Sequence, residues 1–168
     1  MLTKWDKRFL RLAREVSTWS KDPRSQVGCV IAQNKRELSV GYNGFPECVE
    51  DCPEWYENRE LKLSLVIHAE MNALNKVEQA SDLIGATIYV WPFPPCGECA
   101  KHIVARGITR IVAPKGRESC EKETEHVIKH CIKSYMLRDQ VYGLPIYSQQ
   151  WYNPSVTYYW CDPEEIDE

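Results

Sequence analysis

Apolar residues recur at helical spacing from the start of the chain. Trp5, Phe9, Leu12, Ala13 and Val16 share one face, with charged residues between them. Thr3 can cap this helix, with Asp6 three residues on, and Pro23 in SKDPRSQ prevents its continuation, which predicts a helix to about Trp19. The period then changes. VGCVIA (27–32) is a short apolar run bounded by polar residues and predicts a strand buried on both faces. LSVGYNG (38–44), beyond the turn NKRE, predicts a second strand and so a hairpin. Residues 45–63 carry two prolines and many charges and read as a long loop with one short helix, a length that is usually functional or disordered.

Strand and helix patterns alternate after this loop. A helix is predicted from Ala69 to about Val77, a strand over TIYVWP (87–92), a helix over 97–107 closed by Gly107, a strand over TRIVAP (109–114) and a helix over 120–136. LPIYSQQWY reads as a last strand, and SVTYYWC as a segment covering a sheet edge or a subunit contact. Strand–helix–strand units require parallel pairing with right-handed crossovers. The expected fold is therefore α/β, a three-layer α/β/α sandwich with a central mixed sheet. Residues 1–147 form its domain, and residues 148–168 an aromatic-rich C-terminal extension with an acidic tail.

Composition narrows the class. At 168 residues the chain can bury a real core, and 43% hydrophobic with 27% charged residues is typical of a soluble globular domain. Five of the 24 acids lie in DPEEIDE (162–168), which is expected to be solvated and mobile; the remaining 19 nearly balance 21 Lys and Arg. No basic face of a nucleic-acid binder is apparent, and no apolar run reaches the roughly 18 residues that span a bilayer. The first sixteen residues alternate charged with apolar positions and do not read as a leader, so a cytoplasmic protein is expected. Eight cysteines then point to metal binding or catalysis rather than disulfides.

Two helix starts carry the chemistry. HAEMNAL (68–74) opens one and PPCGECAKHI (94–103) the next. In a C-x-x-C at a helix start the sulfurs of Cys96 and Cys99 lie one turn apart, where backbone N–H groups and the helix dipole favour thiolates. His68 adds a nitrogen. One nitrogen and two sulfurs suit tetrahedral zinc with the fourth position open, the pattern of a catalytic site. Glu70 follows closely enough to stand beside that position without being a ligand and to move protons there. The pairing H-x-E…P-C-x-x-C, here His68, Glu70, Pro95, Cys96 and Cys99, is the signature of zinc-dependent nucleobase deaminases.

With SKDPRSQVG (20–28), GYNGFP (41–46) and the run NRELKLSLVIHAEMNAL (58–74), the chain resembles the cytidine and deoxycytidylate deaminase superfamily over residues 5–115, and within it the deoxycytidylate deaminases. The resemblance implies a cytidine deaminase-like fold and zinc-dependent hydrolysis of dCMP to dUMP, which feeds dTTP synthesis. It implies one Zn2+ on His68, Cys96 and Cys99, with Glu70 as the proton shuttle. Asn43 would contact the sugar and Arg24 the 5′-phosphate; Ala69 would offer its backbone to the pyrimidine, and Phe93 would pack on the ring. A homo-oligomer is implied, with a hexamer favoured, regulated by dCTP and dTTP. The effector site would include Gly44, Phe45, Glu50 and Asp51, with Mg2+ accompanying a bound nucleoside triphosphate. Where several relatives have a tyrosine for the phosphate, this chain reads APKGRES, so Lys115 or Arg117 stands in its place.

Other readings stay open. Cytidine, dCTP, a modified deoxycytidylate or adenosine in RNA would need the same zinc chemistry with a different pocket, and a silent zinc module would need no Glu70. Cys48 and Cys52 could hold a second zinc. Cys29, Cys120, Cys131 and Cys161 read as buried small hydrophobes, and His102, His126 and His130 as structural.

Overall fold

The computed structural model describes residues 1–142 and 156–167, with the backbone alone over 131–142. The first helix, α1 (Lys4–Ser17), begins with the expected capping box, in which Thr3 and Asp6 bond each other's backbone N–H. Gly28–Gln33 (β1) and Arg36–Tyr42 (β2) pair antiparallel around Asn34 and Lys35, both at positive φ (51° and 66°). Two consecutive left-handed residues give a turn whose twist suits a hairpin. The loop that follows holds two short helices rather than one, α2 (Pro53–Glu57) and α3 (Arg59–Leu65). Then come α4 (Ala69–Asn75), β3 (Thr87–Trp91), α5 (Gly97–Ala105), β4 (Arg110–Pro114) and the long α6 (Glu118–Tyr142).

The C-terminal segment covers the β4 edge of the sheet by joining it as a strand. Thr157–Cys161 forms a fifth strand, β5, parallel to β4 in the register Arg110↔Thr157 to Pro114↔Cys161. The sheet order is β2-β1-β3-β4-β5, antiparallel through β2, β1 and β3 and parallel beyond. The acidic end is anchored as far as Asp167, while Asp162, Glu164 and Asp167 stay exposed as expected. Ile166 is fully buried, Asp162 caps the turn before it, and Arg14 donates two hydrogen bonds to the Asp167 carboxylate. The last strand expected over LPIYSQQWY lies outside the described residues.

Alternation along the strands divides the core in two. Cys29, Ile31, Ile88, Val90 and Ile111 meet α4 and α5 on one face; Val30, Ala32, Tyr89 and Val112 meet α1 on the other. Two glycines let the helices approach. A Cβ on Gly28 would lie 2.1 Å from the Ala13 carbonyl oxygen of α1, and one on Gly41 would lie 2.3 Å from the Ala69 carbonyl oxygen of α4. The first turn of α4 is thus held against β2 by direct backbone contact. No described helix is long and apolar enough to cross a membrane.

Candidate metal centre and its cavity

His68 and Cys96 occupy equivalent positions, each the N-cap of its helix, and neither side chain caps it. They turn toward each other. His68 Nδ1 lies 3.3 Å from Cys99 Sγ and 3.5 Å from Cys96 Sγ. Zinc bonds of roughly 2.05 Å to nitrogen and 2.3 Å to sulfur, at a tetrahedral angle, put those atoms about 3.6 Å apart. The donor set fits a zinc ion. Among the described residues this is the one place where three His, Cys, Asp or Glu ligand atoms gather, all within 4.8 Å. Cys48 and Cys52 belong to no such group, and both are free thiols.

The neighbouring chain keeps this triangle in place. Ile67 and Gly44 exchange backbone hydrogen bonds of 2.9 and 3.2 Å, tying the residue before His68 to the end of the hairpin. At α5, Glu123 of α6 accepts the Gly97 N–H at 2.8 Å, and the buried Thr124 hydroxyl donates to the Pro95 carbonyl at 2.8 Å. The residues on both sides of Cys96 are therefore held by α6. The Cys99 thiol donates to the Cys96 sulfur and, with His68, holds the Cys96 thiol down to about 3; the same bond, together with burial, pushes Cys99 up. His68 is raised by the sulfur it faces, against the opposing effect of burial.

Glu70, in the first turn of α4, is 4% exposed, and burial pushes its carboxyl above the usual carboxylate range. Together with His68 and Cys96 it lines a cavity of about 170 Å³. Of the expected substrate residues, Asn43, Ala69 and Phe93 line the same cavity. Asn43 accepts the Val27 N–H and donates to the Ser25 carbonyl, so its side chain also fixes the 25–27 wall. Arg24 is exposed and lies outside the lining.

Two cations line the cavity, Lys62 and Arg117. The Lys62 ammonium pairs at 2.6 Å with buried Asp22, whose other oxygen accepts the N–H groups of Arg24 and Ser25. Exposed Arg117 holds its guanidinium 4.4 Å from the Phe93 ring centre. Arg117 was within reach of sequence reasoning as one of two basic residues in APKGRES. Lys62 was missed, although its only signal, the lysine of NRELK, lies in a run already singled out. Lys115 instead pairs with Asp162 on the surface.

The residues expected at an effector site do not line this cavity. Gly44 makes the bridge to Ile67. Phe45 is buried and stacks on Tyr56 at 4.2 Å, Tyr56 donates to Asp51 at 2.8 Å, and Asp51 pairs with Lys21; Glu50 is exposed. Cys29, Cys120 and Cys161 are buried as expected, while the side chain of Cys131 lies outside the described residues. His102, His126 and His130 are all exposed.

Comparison with known proteins follows the same lines. A family model described as the cytidine and deoxycytidylate deaminase zinc-binding region matches residues 3–115. An uncharacterized deaminase in the luxG 3′ region of Aliivibrio fischeri is 43% identical over 118 residues, 70% of this chain and 78% of that one. The human deoxycytidylate deaminase is 38% identical over 114 residues, 64% of this chain and 63% of the human one. That of Mycobacterium phage D29 is 37% identical over 123 residues, 66% of this chain and 94% of the phage protein. In fold, the chain matches the dCMP deaminase of cyanophage S-TIM5 in complex with dCMP and dUMP, with a TM-score of 0.63 at 22% identity over 76% of this chain and 94% of that one.

Proposed function

We propose a specific activity for this chain, which belongs to the cytidine and deoxycytidylate deaminase zinc-binding family: it hydrolyses dCMP to dUMP and ammonia. The observation that carries the reading is the convergence of His68, Cys96 and Cys99 beside buried Glu70 in one small cavity. The relatives named deoxycytidylate deaminase, at 36–38% identity, support the choice of substrate.

His68, Cys96 and Cys99 would hold zinc, which when bound supplies a water acidified enough to be a nucleophile near neutral pH. The chain's own residues do the rest. Glu70 takes one proton from the attacking water and passes it to the ring nitrogen beside C4, then takes a second from the hydroxyl formed at C4 and passes it to the departing amine. Burial raises the proton affinity of its carboxylate, which suits this shuttle. Water adds at C4 of the cytosine, the carbon–amine bond breaks, ammonia leaves and a carbonyl remains. Ala69 offers its backbone at the helix start, Asn43 faces the sugar and Phe93 forms the wall beside the ring. Arg117 and Lys62 meet the 5′-phosphate, with Arg24 approaching from the adjoining loop. Asp22 already balances the Lys62 charge, so it is the Arg117 guanidinium in the lining that favours a nucleotide over a free nucleoside.

The proposal extends to a cytoplasmic homo-oligomer, a hexamer, supplying dUMP for dTTP synthesis. Regulation by dCTP and dTTP, with Mg2+ on the triphosphate, would act through the 44–51 segment. The deciding experiment offers zinc-loaded protein dCMP, dCTP, deoxycytidine and CMP while ultraviolet absorbance is followed. Preferential turnover of dCMP is expected. Equal inactivity on all four, or full activity in Glu70→Gln, would overturn the mechanism, and flat rates on titrating dCTP and dTTP would remove the regulation.

A further inference from the structure

We propose that His126 and His130, on the outer face of α6, form a second metal site: a two-imidazole chelate for divalent transition ions, separate from the His68–Cys96–Cys99 centre. Residues four apart on a helix share a face, with Cβ atoms about 5–6 Å apart. These two rings come closer than that. Their centroids are 4.1 Å apart and their planes are inclined by 35°, so the side chains converge instead of splaying. Both residues are exposed, and an ion can reach them from solvent.

The tautomer of His130 favours coordination. Its Nδ1 lies 2.8 Å from the His126 backbone carbonyl. A carbonyl oxygen only accepts, so Nδ1 carries the proton and donates, and the lone pair is left on Nε2. Histidines that bind metals commonly have their second ring N–H held in this way, which fixes the ring orientation. The charges nearby are mixed. Lys122, Glu125 and Lys129 border the same groove as His126, and the Lys122 ammonium is paired with Glu118 at 2.6 Å.

Among the described residues no third Cys, His or carboxylate joins the pair. The ion would therefore keep open positions for water or for a donor from another molecule. Neutral imidazole suits Zn2+, Ni2+ and Cu2+, whereas Mg2+ and Ca2+ require oxygen ligands. The site is independent of the deaminase reading and can be tested without a turnover assay.

The test uses the full-length, zinc-loaded protein titrated with Ni2+ by calorimetry, followed by dialysis and measurement of both metals. One nickel beyond the retained zinc is expected. His126→Asn and His130→Asn should each weaken it by at least about tenfold, since loss of even an outer-sphere partner costs roughly 10–100-fold. The order of affinity should be Cu2+ over Ni2+ over Co2+, without competition from Mg2+. No nickel uptake, uptake unchanged in both variants, or uptake matched mole for mole by released zinc would each overturn the site.

Discussion

Glu123 accepts the backbone N–H of Gly97 at 2.8 Å, so a carboxylate from α6 satisfies the first residue of the helix that carries both candidate sulfur ligands. Cys96 does not cap that helix itself, because its sulfur faces His68. Glu123 acts as a positioning residue. Glu123→Ala is expected to weaken zinc retention roughly 10–100-fold, and Glu123→Gln, whose carbonyl oxygen can still accept, should restore most of it. The rate of zinc transfer to a coloured chelator measures this. Equal retention in all three proteins would show that Gly97 needs no such partner.

Two glycines of the second strand and its end separate packing from sequence likeness. Gly41→Ala places a methyl 2.3 Å from the Ala69 carbonyl, against backbone that cannot turn aside. Overpacking of this kind costs about 1–3 kcal/mol, and α4 should shift enough to lower zinc content as well. Gly44→Ala meets nothing within 4 Å and should stay within about 0.5 kcal/mol of the parent. Urea unfolding of both variants is the measurement, and similar losses in the two would contradict the contrast.

Acid should weaken the fold through Asp6. Burial pushes its carboxyl up, but hydrogen bonds from Arg110, from the Thr3 backbone and hydroxyl, and from Tyr89 more than compensate and lower it to about 2. Its folded pKa lies below the unfolded value, so the stabilisation is complete above about pH 4 and is lost as pH falls toward 2. The amount is about 2 kcal/mol at neutral pH. Asp6→Asn should be less stable at pH 7 and lose less between pH 4 and 2. Parallel curves for the two proteins would place the acid sensitivity elsewhere.

Substrate charge should be sensed by Arg117. Loss of a charge-assisted hydrogen bond, worth about 1.5–3 kcal/mol, corresponds to a rise in KM for dCMP of at least about tenfold in Arg117→Ala. Deoxycytidine, which lacks the phosphate, should be handled as before. Arg24→Ala, outside the lining, is expected to change KM for dCMP by less than about threefold. A larger effect at Arg24 than at Arg117 would reverse the assignment.

Local pattern carried most of the fold to the surface of the sequence. The periodicity of α1, the apolar runs of β1, β3 and β4, and the two ligand-bearing helix starts are all readable within a dozen residues. What stayed hidden depends on distant partners. Asp6 is legible as a capping residue, but nothing near it announces Tyr89 and Arg110, which are far along the chain. DPEEIDE reads as a solvated tail because the single Ile166 weighs little against five acids, yet that side chain is fully buried beneath α1. Glu123 and Lys62 look like ordinary charges on exposed faces until the elements that they touch are in place.

The bridge between Gly44 and Ile67 closes the whole 45–66 excursion at its base. Because the ends of that excursion are joined immediately before His68, its interior can lengthen, shorten or change composition without moving the histidine. Doubling a closed loop costs only about 0.6 kcal/mol. The segment with α2 and α3 can therefore vary in length while His68 keeps its place, although Lys62 and Leu63 of the cavity lining travel with it. Grafting the corresponding loop of a relative between Gly44 and Ile67 would leave His68 in place and exchange the Lys62 side of the cavity lining.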